Sequence, residues 1–173
     1  FTSAEYTGPL HFTQFWLDTV AAWEKQNRRS RPVIALSATK DVQDAILADV
    51  KRAAVVDVID FRYWYQTDKG LYDPKGGQNL APRQHDRYWK NVLKKNMGAP
   101  SDENLAQMVA EYRGKFPGKA VINSAGHGGW AYVCAGGSIP ELPPTVDEEL
   151  LAAIPRMQVS VNQSKTGRWV LRE

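Results

Sequence analysis

Apolar runs of strand length alternate along the chain with segments of helical periodicity. Residues 11–26 predict a helix, because five apolar side chains recur at helical spacing and form one apolar stripe: Phe12, Phe15, Trp16, Val20 and Trp23. The continuous apolar run 32–38 is typical of a strand buried on both faces of a parallel sheet. A second helix is predicted over residues 40–53, and a strand rich in β-branched and aromatic residues over 55–65.

The second half of the chain continues the alternation after a long loop, residues 66–83. Residues 102–116 predict a helix whose apolar face is Leu105, Met108, Val109, Tyr112 and Phe116. We expect strands over 119–124 and 130–135, and a short helix over 146–154. Strands that alternate with helices indicate parallel βαβ units. The predicted fold is therefore α/β: the C-terminal part, about half, of a (β/α)8 barrel.

The chain opens at Phe1 without a start methionine, and its last residues read as the beginning of another strand. We therefore expect it to be a segment of a longer protein. Residues 1–155 would form the partial barrel, and residues 156–173 would be a linker or the start of a following β-rich segment.

Composition and motifs exclude several function classes. The net charge is +3, and the basic residues are interleaved with acidic ones, which argues against a nucleic-acid interface. No apolar run approaches 18 residues, so no membrane insertion is expected. The chain has neither a Gly-x-Gly-x-x-Gly nor a Walker-type loop, and no Gly-x-Ser-x-Gly elbow. Its three histidines lack metal-ligand spacing, so neither a metal nor another cofactor is predicted.

The strand ends supply the candidate chemistry, because barrel enzymes place their active sites at the carboxyl ends of the strands. Glu5 and Asp60 lie at predicted strand ends, and glycoside hydrolysis usually requires two carboxyl groups. We therefore predict Glu5 as general acid and Asp60 as base or orienter. Plainer interpretations are a rim position for Glu5 and an ion pair between Asp60 and Arg62.

Further polar and aromatic residues near the strand ends would bind the sugar, since the C–H face of a sugar ring packs against an aromatic face. These candidates are Tyr6, Lys40, Arg62, Tyr63, Trp64, His85, Asn123, His127 and Trp130.

Several sequence blocks resemble a family of large bacterial candidate glycoside hydrolases, mostly known as domains of unknown function. They cover roughly residues 1–140 and are Glu5-Tyr6-Thr7-Gly8-Pro9, Phe15-Trp16-Leu17-Asp18, the run 35–44, Val58-Ile59-Asp60-Phe61-Arg62-Tyr63-Trp64, the run 76–85, and Ala135-Gly136-Gly137-Ser138. The resemblance implies a (β/α)8 barrel followed by β-sandwich modules, in a secreted or periplasmic protein that acts on carbohydrate.

Retaining barrel glycosidases carry the acid/base after strand four and the nucleophile after strand seven. If Glu5 ends strand four, strand seven is the run 119–124, which ends on Asn123 and Ser124 without a carboxylate. Asp60, after strand six, would then serve with an inverting geometry. Two alternatives remain open: a glycan-binding protein without catalysis, and a scaffold protein whose half-barrel packs on the missing remainder of the barrel or on another chain.

Overall fold

The computed structural model describes residues 2–5, 9–63, 65–67, 70–72, 102–124, 129–140, 145–156, 158–160 and 170–172. The chain divides into two compact units, Phe1–Ala99 and Pro100–Glu173. Each unit is described in turn.

The first unit alternates strands with helices. Its elements are β1 (Thr2–Glu5), α1 (Leu10–Asn27), β2 (Ile34–Ser37), α2 (Lys40–Ala48), α3 (Val50–Ala53), β3 (Val58–Asp60), β4 (Tyr65–Thr67) and β5 (Gly70–Tyr72). Strands β1, β2 and β3 pair in parallel in that order, and β4 pairs with β5 antiparallel. The fold is thus mixed α/β with a small parallel three-stranded sheet, as the alternation of strand and helix patterns predicts.

Strand β2 lies in the middle of this parallel sheet, and all four of its residues are buried. Helix α2 supplies the matching apolar side chains Val42 and Ile46, both fully buried, and α1 supplies Leu17. The continuous apolar run that predicts β2 therefore corresponds to a strand covered on both faces.

Helix α1 forms as predicted but buries a different face. Its buried residues are Thr13 and Leu17, whereas Phe12, Phe15 and Trp23 are 45%, 67% and 48% exposed. The predicted apolar stripe is therefore only partly covered, since Trp16 and Val20 are half-buried. Helical spacing identifies residues that share a face, but it does not say which of two partly apolar faces packs against the sheet.

The predicted helix 40–53 is interrupted at Asp49. The extended backbone of Asp49 ends α2, and its carboxylate accepts hydrogen bonds from the backbone N–H groups of Lys51 and Arg52. Asp49 is therefore the N-cap of α3. Because the new helix starts here, Val50 is 83% exposed instead of joining the buried face of α2.

The predicted strand 55–65 is shorter than its composition suggests. Val55 and Val56 close turns after α3, and β3 ends at Asp60. The Asp60 carboxylate accepts the N–H of Arg62, 3.1 Å away, which is the hydrogen bond of an Asx-turn. This side-chain bond turns the backbone out of the strand, and Tyr65 belongs to the separate strand β4.

The second unit contains α4 (Asp102–Lys115), β6 (Ala120–Ile122), α5 (Gly129–Cys134), α6 (Glu148–Ala153), a 3₁₀ turn (Ile154–Arg156), β7 (Gln158–Ser160) and β8 (Val170–Arg172). The apolar face predicted for α4 is confirmed for Leu105, Met108, Val109 and Tyr112, which are at most 5% exposed. Phe116, just beyond the helix, stacks on Tyr112 with ring centroids 6.2 Å apart.

The predicted strand 130–135 is wrong, because these residues form helix α5. Helical geometry buries Tyr132 and brings its hydroxyl within hydrogen-bonding distance of two carbonyl oxygens, those of Val121 (2.7 Å) and Ser138. The Gly137 N–H donates a hydrogen bond to the Tyr132 carbonyl. Here the tertiary contacts of one tyrosine outweigh the β-propensity of its neighbours.

Strands β7 and β8 pair antiparallel, with Gln158 opposite Arg172. The boundary at residue 155 between a partial barrel and a following segment stays a prediction. No helix within the described residues is long and apolar enough to cross a membrane.

Candidate active site

Three polar residues occupy one row at the carboxyl edge of the parallel sheet. Glu5 is the register partner of Ser37, and Ser37 is the register partner of Asp60. Each is the last residue of its strand: Glu5 of β1, Ser37 of β2 and Asp60 of β3. The backbone thus brings the two sequence-predicted carboxylate positions to the same edge, with a serine between them.

The Asp60 carboxylate is buried, with the residue only 3% exposed. One of its oxygens accepts a hydrogen bond from the Ser37 hydroxyl, and the other accepts the Arg62 backbone N–H. Ser37 is itself 2% exposed. Hydrogen bonds to a buried carboxylate offset the cost of removing it from water, so these donors fix both the position and the orientation of Asp60.

Gln43 connects the ends of β2 and β3 through hydrogen bonds to two backbone carbonyls. It lies on α2 and is fully buried. Its side-chain nitrogen Nε2 donates to the Leu36 carbonyl at 2.8 Å and also to the Asp60 carbonyl. An amide NH₂ has two donor hydrogens, so one side chain satisfies a carbonyl on each of two neighbouring strands.

Lys40 begins α2, directly after the carboxyl end of β2. Its ammonium group forms an ion pair with Asp44, 2.6 Å away and four residues later on the same helix. Thr39, at the N-cap position, hydrogen-bonds through its hydroxyl to Asp41 rather than to the helix backbone. Lys40 is therefore placed near the sheet edge, but it already has an acidic partner.

Arg62 and Tyr63 follow Asp60 in the turn after β3. Arg62 is exposed, and its guanidinium carbon lies 5.2 Å from the centre of the Tyr63 ring, within cation–π range. The contact between Asp60 and Arg62 seen here uses the backbone N–H of Arg62. The turn after β3 therefore holds a cation against an aromatic ring.

Two further candidates lie in the second unit. Asn123 directly follows β6 and is half-buried, as expected for a residue at a strand end. Trp130 lies in the first turn of α5 and is 41% exposed, so it is on a helix and not on the predicted strand 130–135.

Several predicted residues lie wholly or partly outside the described residues. Tyr6, Trp64, His85 and His127 are outside them altogether. Glu5 is described only by its backbone and its register in β1.

The amino end of the same sheet carries a different electrostatic arrangement. Asp57, directly before β3, accepts two hydrogen bonds from the Arg31 guanidinium and one from the backbone N–H of Ile34 at 2.9 Å. The hydrogen bond with Asp57 raises the pKa of Arg31 above its usual value. Asp57 is paired with a cation and with backbone at the start of a strand, so we assign it a structural role. This distinguishes Asp57 from Asp60 at the other end of β3.

Sequence reasoning missed Gln43 and gave Ser37 no role of its own. A polar residue within an otherwise apolar helix face, next to Val42 and Ile46, is the signal that identifies Gln43 as a buried hydrogen-bonding group. In the described part of the chain, no three His, Cys, Asp or Glu residues cluster in a metal-binding arrangement.

Comparison with protein families places this site in a wider context. Residues 1–157 match the profile of a family described as a domain of unknown function, DUF6298. The chain belongs to the DUF6298 family. No curated protein and no solved structure matches the chain significantly. The row formed by Glu5, Ser37 and Asp60 lies within the DUF6298 region, whose family description gives no activity.

Proposed function

We propose that this DUF6298 protein is a carbohydrate-active enzyme that hydrolyses glycosidic bonds in a poly- or oligosaccharide. The observation that carries the proposal is the in-register row Glu5–Ser37–Asp60 at the carboxyl edge of three parallel strands. Two carboxyl groups at that edge are the minimal equipment for glycoside hydrolysis, one to protonate the leaving oxygen and one to activate water.

In this proposal Glu5 is the general acid and Asp60 the base. Asp60 is held by Ser37 and by the Arg62 backbone, so its position does not depend on substrate. To act as the base, Asp60 would exchange one of these two donors for the attacking water when the substrate binds. Arg62 and Tyr63, stacked on each other beside the row, would contact the sugar.

We also propose that the parallel sheet is part of a (β/α)8 barrel. Parallel strands joined by helices, with polar residues at their carboxyl ends, agree with that architecture. A closed barrel has eight strands, so the remainder would come from elsewhere in the same protein or from another chain. Because large polysaccharides do not cross membranes unaided, we propose a secreted or periplasmic location.

A second candidate is a glycan-binding protein without hydrolytic activity. It is favoured by the burial of Asp60 and by the protein donors that already occupy both of its carboxylate oxygens. A base in this state reaches water only if the substrate-bound site opens. The two candidates differ in whether reducing ends are released from a glycan that binds.

The first test is reducing-end release from a panel of polysaccharides by the full-length protein and its variants. Glu5→Gln and Asp60→Asn should each lower kcat by at least about 100-fold, the usual size of a general acid–base contribution. Full activity of Glu5→Gln would contradict the assignment of the acid.

Asp57→Asn is the matched control for Asp60→Asn, because the two residues lie at opposite ends of β3. Asp57→Asn should lower stability through its lost pairing with Arg31, while kcat stays within about twofold of wild type. Binding of a glycan with no release of reducing ends by the wild type would favour the second candidate.

A further inference from the structure

We infer that Gln43 is a positioning residue, which holds the Asp60 carboxylate in place by fixing the Asp60 carbonyl. That this positioning contributes to catalysis rests on the proposed function. The contacts themselves are a property of the fold, because Gln43 is fully buried and donates to carbonyls at the ends of β2 and β3.

The Asp60 carbonyl is at the point where β3 stops. The chain turns directly after this residue, so the Gln43 amide meets the backbone where the strand and the turn join. Loss of a donor from a buried carbonyl is destabilising, so a donor that reaches the Asp60 carbonyl favours the backbone orientation in which this hydrogen bond forms. Gln43 supplies this donor from a neighbouring helix.

Three separate groups then restrain one residue. Gln43 binds the Asp60 carbonyl, the Ser37 hydroxyl binds one carboxylate oxygen, and the Arg62 N–H binds the other. The Asp60 carbonyl belongs to the peptide that leads to Phe61 and Arg62, so a rotation of this peptide would displace the Arg62 N–H from the Asp60 carboxylate. Removing the Gln43 donors therefore frees a motion that Ser37 alone does not prevent.

The backbone of Gln43 is fixed as well. Its N–H donates to the Thr39 carbonyl at 2.9 Å, in the first turn of α2. The side-chain amide of Gln43 thus extends from the start of α2, the helix that follows β2 in the chain. It donates to carbonyls at the ends of both β2 and β3. This arrangement distinguishes Gln43 from the apolar residues around it, which pack but do not orient a backbone group.

Gln43→Met tests the inference, since methionine has a similar volume but no donor. Ile46→Val is the matched control: Ile46 is fully buried on the same helix, and the change removes one methylene without touching either carbonyl. In Gln43→Met we expect kcat to fall about 10- to 100-fold with KM within about twofold, because small displacements of a catalytic group have effects of this size. Ile46→Val should leave both constants within about twofold.

Hydrogen exchange of the Arg62 amide provides a readout that needs no activity, because this N–H donates to the Asp60 carboxylate. Its exchange should accelerate at least about tenfold in Gln43→Met relative to Ile46→Val, as expected for loss of one net hydrogen bond. An unchanged Arg62 exchange rate would overturn the inference, whatever the kinetics. Accelerated exchange in a protein that hydrolyses no glycan would support the positioning role and contradict the proposed function.

Gln43→Glu covers the case in which Gln43→Met does not fold. Facing two carbonyl oxygens in a buried site, the new carboxyl group would have a raised pKa, and only its neutral form can donate. Protection of the Arg62 amide should therefore be present at low pH and be lost as the pH rises through that pKa. Protection that does not change with pH would count against the inference.

Discussion

Two aspartates three residues apart, Asp57 and Asp60, have different surroundings. Asp57 faces a guanidinium at the amino end of β3, whereas Asp60 faces a hydroxyl and a backbone N–H at the carboxyl end. A full charge beside Asp57 keeps that residue in a structural ion pair. The hydrogen bonds from the Ser37 hydroxyl and the Arg62 N–H orient the Asp60 carboxyl group.

A third aspartate, Asp18 on α1, allows a test of surface electrostatics. The Arg52 guanidinium donates to both of its oxygens, at 3.0 and 2.8 Å, and this hydrogen bonding lowers the pKa of Asp18. A lowered pKa in the folded state means that the ionised carboxylate stabilises the fold. The contribution is complete above the pKa of the unfolded chain, about 3.9, and is lost as the pH falls through the lower folded-state pKa.

We expect Asp18→Asn to lower the free energy of unfolding by about 0.5 kcal/mol at pH 7, because the pair is half-exposed and screened by water. Urea denaturation at pH 7 and pH 3 should show a smaller difference at the lower pH. At pH 7 the difference should also shrink in 1 M salt, where the Debye length is about 3 Å. A difference that grows toward low pH would contradict the assigned sign.

Elements were predictable from sequence where local pattern and tertiary environment agree. The apolar run of β2 and the periodic face of α4 correspond to buried structure because each pattern has only one way to be covered. On α1 the pattern allows two faces, and the structure buries the one with Thr13 and Leu17. Helix α5 has strand-like composition, and only the distant partners of Tyr132 explain its helical form.

The candidate site was likewise predictable only in part. That Asp60 ends a strand follows from its neighbours in sequence, and Glu5 is the only acidic residue in the first strand. That these two positions share one row depends on strand order and register, which pairing between distant segments determines. The role of Gln43 depends on two carbonyls 7 and 17 residues away, and no local pattern encodes that contact.

Close packing around Tyr132 makes a prediction at the element scale. A Cβ atom at Gly137 would overlap the ring of Tyr132, whose hydroxyl is tied to the carbonyls of Val121 and Ser138. The ring cannot move away without losing these bonds. Gly137→Ala should therefore lower the free energy of unfolding by about 1–3 kcal/mol, the usual cost of overpacking.

Gly114→Ala is the control for this variant. Gly114 lies in α4, and an added Cβ there would meet no atom within 4 Å. Alanine in a helix loses less conformational entropy than glycine, so this variant should gain about 0.5–1 kcal/mol. Urea denaturation of the two variants checks both signs, and a Gly137→Ala variant as stable as wild type would show that the Tyr132 ring can move.

At the scale of the whole molecule, the sheet sets the separation between the backbones of the two proposed catalytic residues. Glu5 and Asp60 lie on strands that flank β2, so their backbones are two strand spacings apart, about 9.6 Å for a regular sheet. Retaining glycosidases hold their carboxyl groups about 5–5.5 Å apart, and inverting ones about 6.5–9.5 Å apart. Because a strand lies between the two residues, we propose the wider arrangement, which leaves room for a water molecule between the carboxyl groups.

We therefore expect hydrolysis by the full-length protein to invert the configuration at the anomeric carbon. Proton NMR of the first product, recorded before mutarotation equilibrates the anomers, measures this directly. Asp60→Asn should abolish formation of the inverted product, whereas Asp57→Asn, at the opposite end of β3, should leave the configuration and the rate unchanged. A product with retained configuration would require a covalent intermediate on a nearby carboxylate. Asp60, two strands from Glu5, would then not be the second catalytic group, and the row would serve binding alone.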